Sequence, residues 1–242
     1  MKNKTVKIVI AVIVAVVLLF IAFSSGYFFG TIDKSLNQHF SDENYITAEN
    51  SEIKITEDVK NIEVEWVSGN VTVTRSEDAN LYIIEEGRIS ESDALVYKLN
   101  GNTLEIDFAK PSFGIFGINS SPSKDLTLKL PEKYYDKINI NSVSADVDIS
   151  NVSSNEIDLE SVSGEIEMRQ TSFKDLDVES VSGNTDIYLP DSASFRAEID
   201  SVSGDFNTDF AVTKQGDAYI CGNGDLDVSA DMVSGDLGIY KQ

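Results

Sequence analysis

The sequence predicts an all-β fold: a parallel β-solenoid, or β-helix, with coils of roughly 20 residues, preceded by an N-terminal β-rich cap and one transmembrane helix. Three observations lead there. A Ser-Val-Ser-Gly element recurs along the C-terminal half at nearly constant spacing. The stretches around it alternate apolar and polar residues, as half-buried strands do. An unbroken apolar run, Ile8 to Phe23, stands near the start of the chain.

The repeat is the strongest signal. Its copies are Ser142-Val143-Ser144-Ala145-Asp146, Ser161-Val162-Ser163-Gly164-Glu165, Ser180-Val181-Ser182-Gly183-Asn184 and Ser201-Val202-Ser203-Gly204-Asp205. A degenerate copy, Cys221-Gly222-Asn223-Gly224-Asp225, and a last one, Met232-Val233-Ser234-Gly235-Asp236, follow. Trp66-Val67-Ser68-Gly69-Asn70 is an outlying early copy. Between glycine positions the steps 145→164→183→204→224 are 19, 19, 21 and 20, and the final step to 235 is 11. Two short strands and two turns fit such a period, and no coil can bury its apolar face without neighbours. Stacking in chain order puts Val143, Val162, Val181 and Val202 above one another inside, with Ile166, Ile187 and Phe206 in adjacent interior columns. The glycine has a structural reason, because the chain must bend between the two strands.

Upstream, Asn61–Val67, Val71–Thr74, Leu81–Ile84, Ala94–Leu99, Leu104–Phe108 and Leu126–Leu130 read as strands. Asn100-Gly101-Asn102 is a hairpin turn. The expected organisation is a cytoplasmic tail (1–7), a transmembrane helix (8–30), a polar stalk (31–52), a β-rich cap (53–140) and the solenoid (141–242). At the C-terminus, the shortened last step suggests a half-coil that closes the stack with Leu237, Ile239 and Tyr240.

Residues 8–30 as a helix would span about 34 Å, enough for a hydrocarbon core of about 30 Å. Lys2, Lys4 and Lys7 precede the run, which places the N-terminus in the cytoplasm. Tyr27, Phe28 and Phe29 fit the outer interface. The rival is a cleaved signal peptide, with small residues at Ala22 and Ser24. The uncleaved anchor is preferred because apolar character continues past that cut site. Either reading exports the domain and localises it to the cell membrane or beyond.

Composition excludes several functions. Beyond the apolar run the chain carries 16 basic and 41 acidic residues, a net of −25. That field repels nucleic acid and anionic headgroups and suits a basic partner or a cation. One cysteine, Cys221, and one histidine, His39, leave no disulfide, no zinc cluster and no histidine-based triad. Asp146, Glu165, Asp205, Asp225 and Asp236 follow the glycines, and stacked carboxylates repel unless solvated or bridged by calcium. The glycine-rich nonapeptide of calcium-binding coils is absent, so no metal site and no cofactor is expected.

Some β-helices act on polysaccharides, but that chemistry needs a distinct base. Residues 141–242 offer only Arg169, Lys174, Arg196, Lys214 and Lys241 as basic residues. Ser-Val-Ser-Gly also lacks the preceding glycine of a nucleophile elbow. No enzyme and no small-molecule substrate is expected. The sharpest local feature is Pro111–Pro122, which sets Phe113, Ile115, Phe116 and Ile118 among glycines and prolines. It reads either as a loop closing the core or as an exposed contact for a partner or the membrane.

The anchor, the Val67-Ser-Gly-Asn-Val-Thr-Val copy, Leu126-Thr-Leu-Lys-Leu-Pro131 and the Ser-Val-Ser-Gly-acid coils together resemble a bacterial family of uncharacterised β-strand-repeat proteins. These are often labelled putative adhesins, and the likeness is strongest to the LiaG-like, membrane-anchored members. The resemblance implies a binding or scaffolding module at the cell envelope, contacting an envelope protein or wall polymer. It implies, as the alternative, an accessory of an envelope-stress sensing system. It carries no catalytic residues.

Overall fold

The computed structural model describes residues 45–88, 93–109 and 123–242. The expected tail, membrane helix and most of the stalk lie outside the described residues, as does the Phe113, Ile115, Phe116 and Ile118 loop. Among the described residues no helix is long and apolar enough to cross a membrane.

Eighteen strands form the body. Two of them, β3 (Asn61–Arg75) and β8 (Tyr134–Ser150), run unbroken through a Ser-Gly or Ser-Ala corner and contribute to both walls of the stack. Later rungs divide at the corner. The first wall orders β3, β8, β9 (Ser153–Ser163), β11 (Asp175–Ser182), β17 (Leu226–Ser234) and β13 (Phe195–Ser203), all parallel. The second orders β3, β8, β10 (Ile166–Arg169), β12 (Thr185–Leu189), β18 (Leu237–Lys241) and β14 (Phe206–Thr208), also parallel. The apolar residues of both walls merge in one core.

Strict alternation builds that core. Val64, Ile140, Leu159, Val178, Ala230 and Ile199 pair in one column, and Ile62, Ile138, Ile157, Leu176, Val228 and Ala197 in the next. The same alternation carries on into the motif and overturns the expected register. Ser142, Ser161 and Ser180 are buried, and the valines that follow them are half-exposed, with Val202 51% exposed. Glu160 and Ser161 do not break the period of two; Ser161 is its next inward residue. Two of these hydroxyls pair, Ser142 Oγ donating to Ser161 Oγ at 3.2 Å, while the buried Ser180 Oγ has no partner among the described residues. Val162→Asp should therefore change stability by less than about 1 kcal/mol, as an ordinary surface substitution. Leu159→Asp should unfold the domain, because it buries an unpaired carboxylate. Thermal melts of the two variants check the register.

The order of the stack also differs from the order of the chain. The last copy, at Met232, inserts between the Ser180 and Ser201 copies, pairing with both. The C-terminal segment is thus an inner rung. Leu237 and Ile239 are fully buried between β12 and β14 and close no end of the stack. The terminal rung is β13–β14. The Cys221–Asp225 copy is no rung; it turns the chain out of a hairpin, β15 (Thr213–Gln215) and β16 (Ala218–Cys221), that folds antiparallel onto β13. Ile166 and Phe206 share a column through Thr185 and Leu237, while Ile187 sits one column along, with Met168 and Ile239.

At the other end, the division at residue 140 does not hold. β3 pairs with β8 over both walls, from Asn61↔Lys137 to Thr74↔Ser150, so the early copy is a full rung. Outside it lie β6 (Thr103–Asp107) on the first wall and β7 (Asp125–Leu130) on the second, both parallel to β3. Antiparallel strands finish this end. β5 (Val96–Asn100) joins β6 through the expected hairpin, with Gly101 at φ 61°, and β1 (Ile46–Thr47) follows. On the second wall β4 (Leu81–Glu86) and β2 (Glu52–Ile55) cover β7. The folded body reaches back to β1, and Ala48 is buried, so residues 45–52, expected in the stalk, belong to the folded body.

Candidate binding surface

Because one face of each wall is buried, the intervening residues form flat outer faces whose composition the register decides. On the first wall Glu65, Asn141, Glu160, Glu179, Asp231 and Asp200 align in one column. Glu63, Asn139, Asp158, Asp177, Ser229 and Glu198 align in the next. Neighbouring strands lie about 4.8 Å apart, so these carboxylates form ladders of like charge. Basic residues meet the face only at its edge. Lys137 bridges Glu156, at 2.6 Å, and Asp158, and Arg196 reaches Glu198 and Asp227. An open groove of about 470 Å³ ends the face, lined by Asp175, Asp177, Asp227, Glu198 and Arg196 over Leu176 and Val228.

The electrostatics follow from this crowding. Desolvation raises the Asp177 carboxyl above its ordinary value, and the charge of Asp158 adds to it. Glu179 is raised by desolvation and then by Glu160, and Asp231 by desolvation and then by Asp200 and Glu179. The second wall repeats the pattern: desolvation and Glu167 raise both Asp148 and Asp186, while Arg169, stacked on the Tyr188 ring, acts to lower them.

A carboxyl raised in the folded state holds its proton more tightly there than in the unfolded chain. Stability is therefore lost as pH rises through the folded pKa values and regained as pH falls toward the ordinary carboxylate range. Asp78, held at about 2 by hydrogen bonds from Asn80 and Tyr82, acts in the opposite sense, and only at pH below the ordinary aspartate range. The expected result is a higher Tm at pH 4, in the ordinary carboxylate range, than at pH 7.5 in low salt, with the gap narrowing as salt screens the ladders. Asp177→Asn should shrink the gap. A Tm independent of pH over that range would show that the ladder charges do not interact.

The acids that follow the glycines do something else. Asp146 Oδ1 accepts the Glu165 amide of the next rung at 2.8 Å. Asn184 Oδ1 accepts the Asp236 amide at 3.0 Å, and Asp236 Oδ1 the Asp205 amide at 2.8 Å. These side chains bracket layer to layer, and Asn184 serves as well as an acid because only an acceptor is needed. Among the described residues no group of three or more histidine, cysteine, aspartate or glutamate side chains is arranged to hold a metal ion.

Sequence reasoning singled out the acids after each glycine and missed those before it. Their signal was present, as apolar-acid-apolar-acid in Ile157-Asp-Leu-Glu160 and Leu176-Asp-Val-Glu179. A second feature had no signal. Lys124 and Glu85, separated by 39 residues, form a fully buried ion pair at 2.7 Å. The Lys124 ammonium also donates to the Asp93 and Phe108 carbonyls, against the Phe108 and Trp66 rings. Burial lowers its pKa, and Glu85 opposes that. Trp66 Nε1 donates to the Lys124 carbonyl at 2.9 Å, so this cluster fills the corner of the β3 rung, at the position where Ser142 stands in the next.

Comparison with known proteins supports the fold. Among curated proteins none matches the chain. A crystal structure of a putative cell adhesion protein from Clostridium sporogenes is similar, with a TM-score of 0.62 and 13% identity, over 79% of this chain and 99% of that one. A putative adhesin from Bacteroides fragilis, at 14% identity over 79% of this chain and 98% of that one, has a TM-score of 0.36, too low to carry an argument. The family model described as Toastrack DUF4097 matches residues 59–237. The chain belongs to the Toastrack DUF4097 family, whose β-solenoid-like fold it shows.

Proposed function

We propose that the chain is a membrane-anchored, extracytoplasmic binding or scaffolding module of adhesin type at the bacterial cell envelope, close to the LiaG-like members of its family, and without enzymatic activity. The observation that carries this reading is the acidic face of the first wall: a flat, rigid surface on which rungs far apart in sequence present Glu160, Glu179 and Asp231 side by side. Fields of one sign steer association and reject like-charged partners. The face thus selects an envelope protein with a basic surface over an anionic wall polymer. The likeness to a protein named for cell adhesion is consistent with that role.

The test is adherence of residues 45–242 to cells and to purified envelope. The triple variant Glu160→Gln, Glu179→Gln, Asp231→Asn keeps the hydrogen-bonding shapes and relieves repulsion, so it should fold at least as well as the parent. Its binding should fall at least about tenfold and lose its salt dependence. Undiminished binding by the triple variant would remove the face from the function. A phenotype confined to the full-length, anchored chain would favour the accessory of an envelope-stress system, with the apolar segment 8–30 as the contact.

A further inference from the structure

The last rung of the stack, β13–β14, is covered on its outer side only in part. In its three inward positions Ile199, Ser201 and Phe206 are half-exposed, whereas their column neighbours Ala230, Met232 and Leu237 are buried. Its outer backbone edge pairs with the β15–β16 hairpin over Phe195–Glu198, the hairpin's Tyr219 ring packs on Phe206 at 4.6 Å, and from Ile199 to Thr208 no described strand pairs with it on that side. The Ser201 hydroxyl, like that of Ser180, has no hydrogen-bond partner among the described residues. Asp146, Asn184 and Asp236 each accept a backbone amide from an adjacent rung, and the Asp205 carboxylate at the rim, like Glu165, accepts none from the described residues.

Chain continuity is not what holds rungs together here. The β17–β18 rung lies downstream in sequence of the β13–β14 rung yet seats between it and β11–β12, in the same register. The contacts that recognise a rung are alternating side chains, a corner without a Cβ, and an amide delivered to the bracketing acceptor. A segment from another molecule can supply all three, as in strand addition at other sheet edges. Charge decides whose segment. Asp200, Asp205 and Asp209 lie along this rim, with Asp209 accepting the Lys241 amide. A second copy of a chain of net charge −22 would set like charges against them.

We propose that the rim Ile199–Thr208 binds an extended segment of another protein that alternates apolar and basic residues around a glycine, adding one further parallel rung whose amide is accepted by Asp205. This goes beyond the acidic-face reading and uses a different surface, so the two fail separately: the Glu160, Glu179, Asp231 triple variant should leave rim binding in place.

The probe is the synthetic peptide Lys-Ile-Lys-Ser-Val-Ser-Gly-Lys-Ile-Lys, with a twin in which glutamate replaces lysine. Binding to the full-length chain in detergent is read by fluorescence anisotropy and by hydrogen exchange. The basic peptide should bind and slow exchange at Ile199–Thr208. The acidic twin should bind at least about tenfold more weakly. Asp205→Lys should weaken the basic peptide by a similar factor, while Asp205→Asn, which keeps the acceptor, should stay within about threefold. Absence of binding, equal binding to Asp205→Lys, protection located elsewhere, or a rim already protected without peptide would each overturn the proposal. Sedimentation showing a dimer of the chain alone, abolished by Val202→Lys, would make a second copy the occupant and overturn it too.

Discussion

Replacing Gly183 with alanine is expected to destabilise the repeat domain by about 2–6 kcal/mol. A Cβ at this position would lie on the Gly164 carbonyl oxygen, well inside the 3.0 Å that real Cβ atoms respect, and the obstruction is backbone of the adjacent rung. The same contact recurs at Gly164 on Ala145, Gly235 on Gly183 and Gly204 on Gly235, so no layer can give way without moving the next. The φ of 122° adds a strained backbone for any residue with a side chain. Strain of about 1–3 kcal/mol and overpacking of about 1–3 kcal/mol together come to about 2–6 kcal/mol, a large fraction of a domain's stability of about 5–15 kcal/mol. Gly101→Ala is the control. Gly101 also has a positive φ, 61°, but a Cβ there meets nothing within 4 Å. It should cost about 1–2 kcal/mol, the local αL penalty alone. Circular dichroism melts of the pair separate layer contact from local conformation. Similar Tm losses would show that the glycines serve only the bend.

Lys124→Met should cost about 3–5 kcal/mol, because it leaves the Glu85 carboxylate buried without its main partner. Glu85 Oε1 also accepts the Leu95 amide at 2.9 Å, and Arg88 stands 3.9 Å from Oε2, too far to replace the ammonium. The loss should be local before it is global, since Lys124 ties together the Asp93 and Phe108 carbonyls and the Trp66 corner. Urea denaturation should show a lower midpoint, and exchange at the Leu95 amide should speed up more than at Val178. The double variant Lys124→Met, Glu85→Met should recover much of the stability, because removing both charges leaves no orphan. A double variant no better than the single would show that Lys124 acts through its carbonyl contacts instead of the ion pair.

Much of the solenoid was legible because its signals are local. Alternation in Asn61–Val67 and Leu126–Leu130 needs only the period of a strand, and Asn100-Gly101-Asn102 needs only the chemistry of a turn. The segment with Phe113, Ile115, Phe116 and Ile118, expected either to close the core or to contact a partner, falls outside the described residues. The acidic face was half legible. The acids are written between the apolar residues of each strand, but that they align depends on which strands are neighbours. The Lys124–Glu85 pair was illegible, since its members share no spacing and no motif.

What the sequence by itself determined is the repeat, its strands, and the need for a small residue at each bend. It left open the order of the rungs, because every copy carries nearly the same register code and any could seat on any other. Tertiary structure settled that order: Met232 and Leu237 sit between two rungs where both are covered, and the larger Phe206 stands on the end rung. It also turned Val162 outward and Ser161 inward, because the bend falls after the serine and the period of two holds up to it. Local pattern specifies strands, while long-range packing chooses among equivalent partners, and in a repeat the second choice has no local signature.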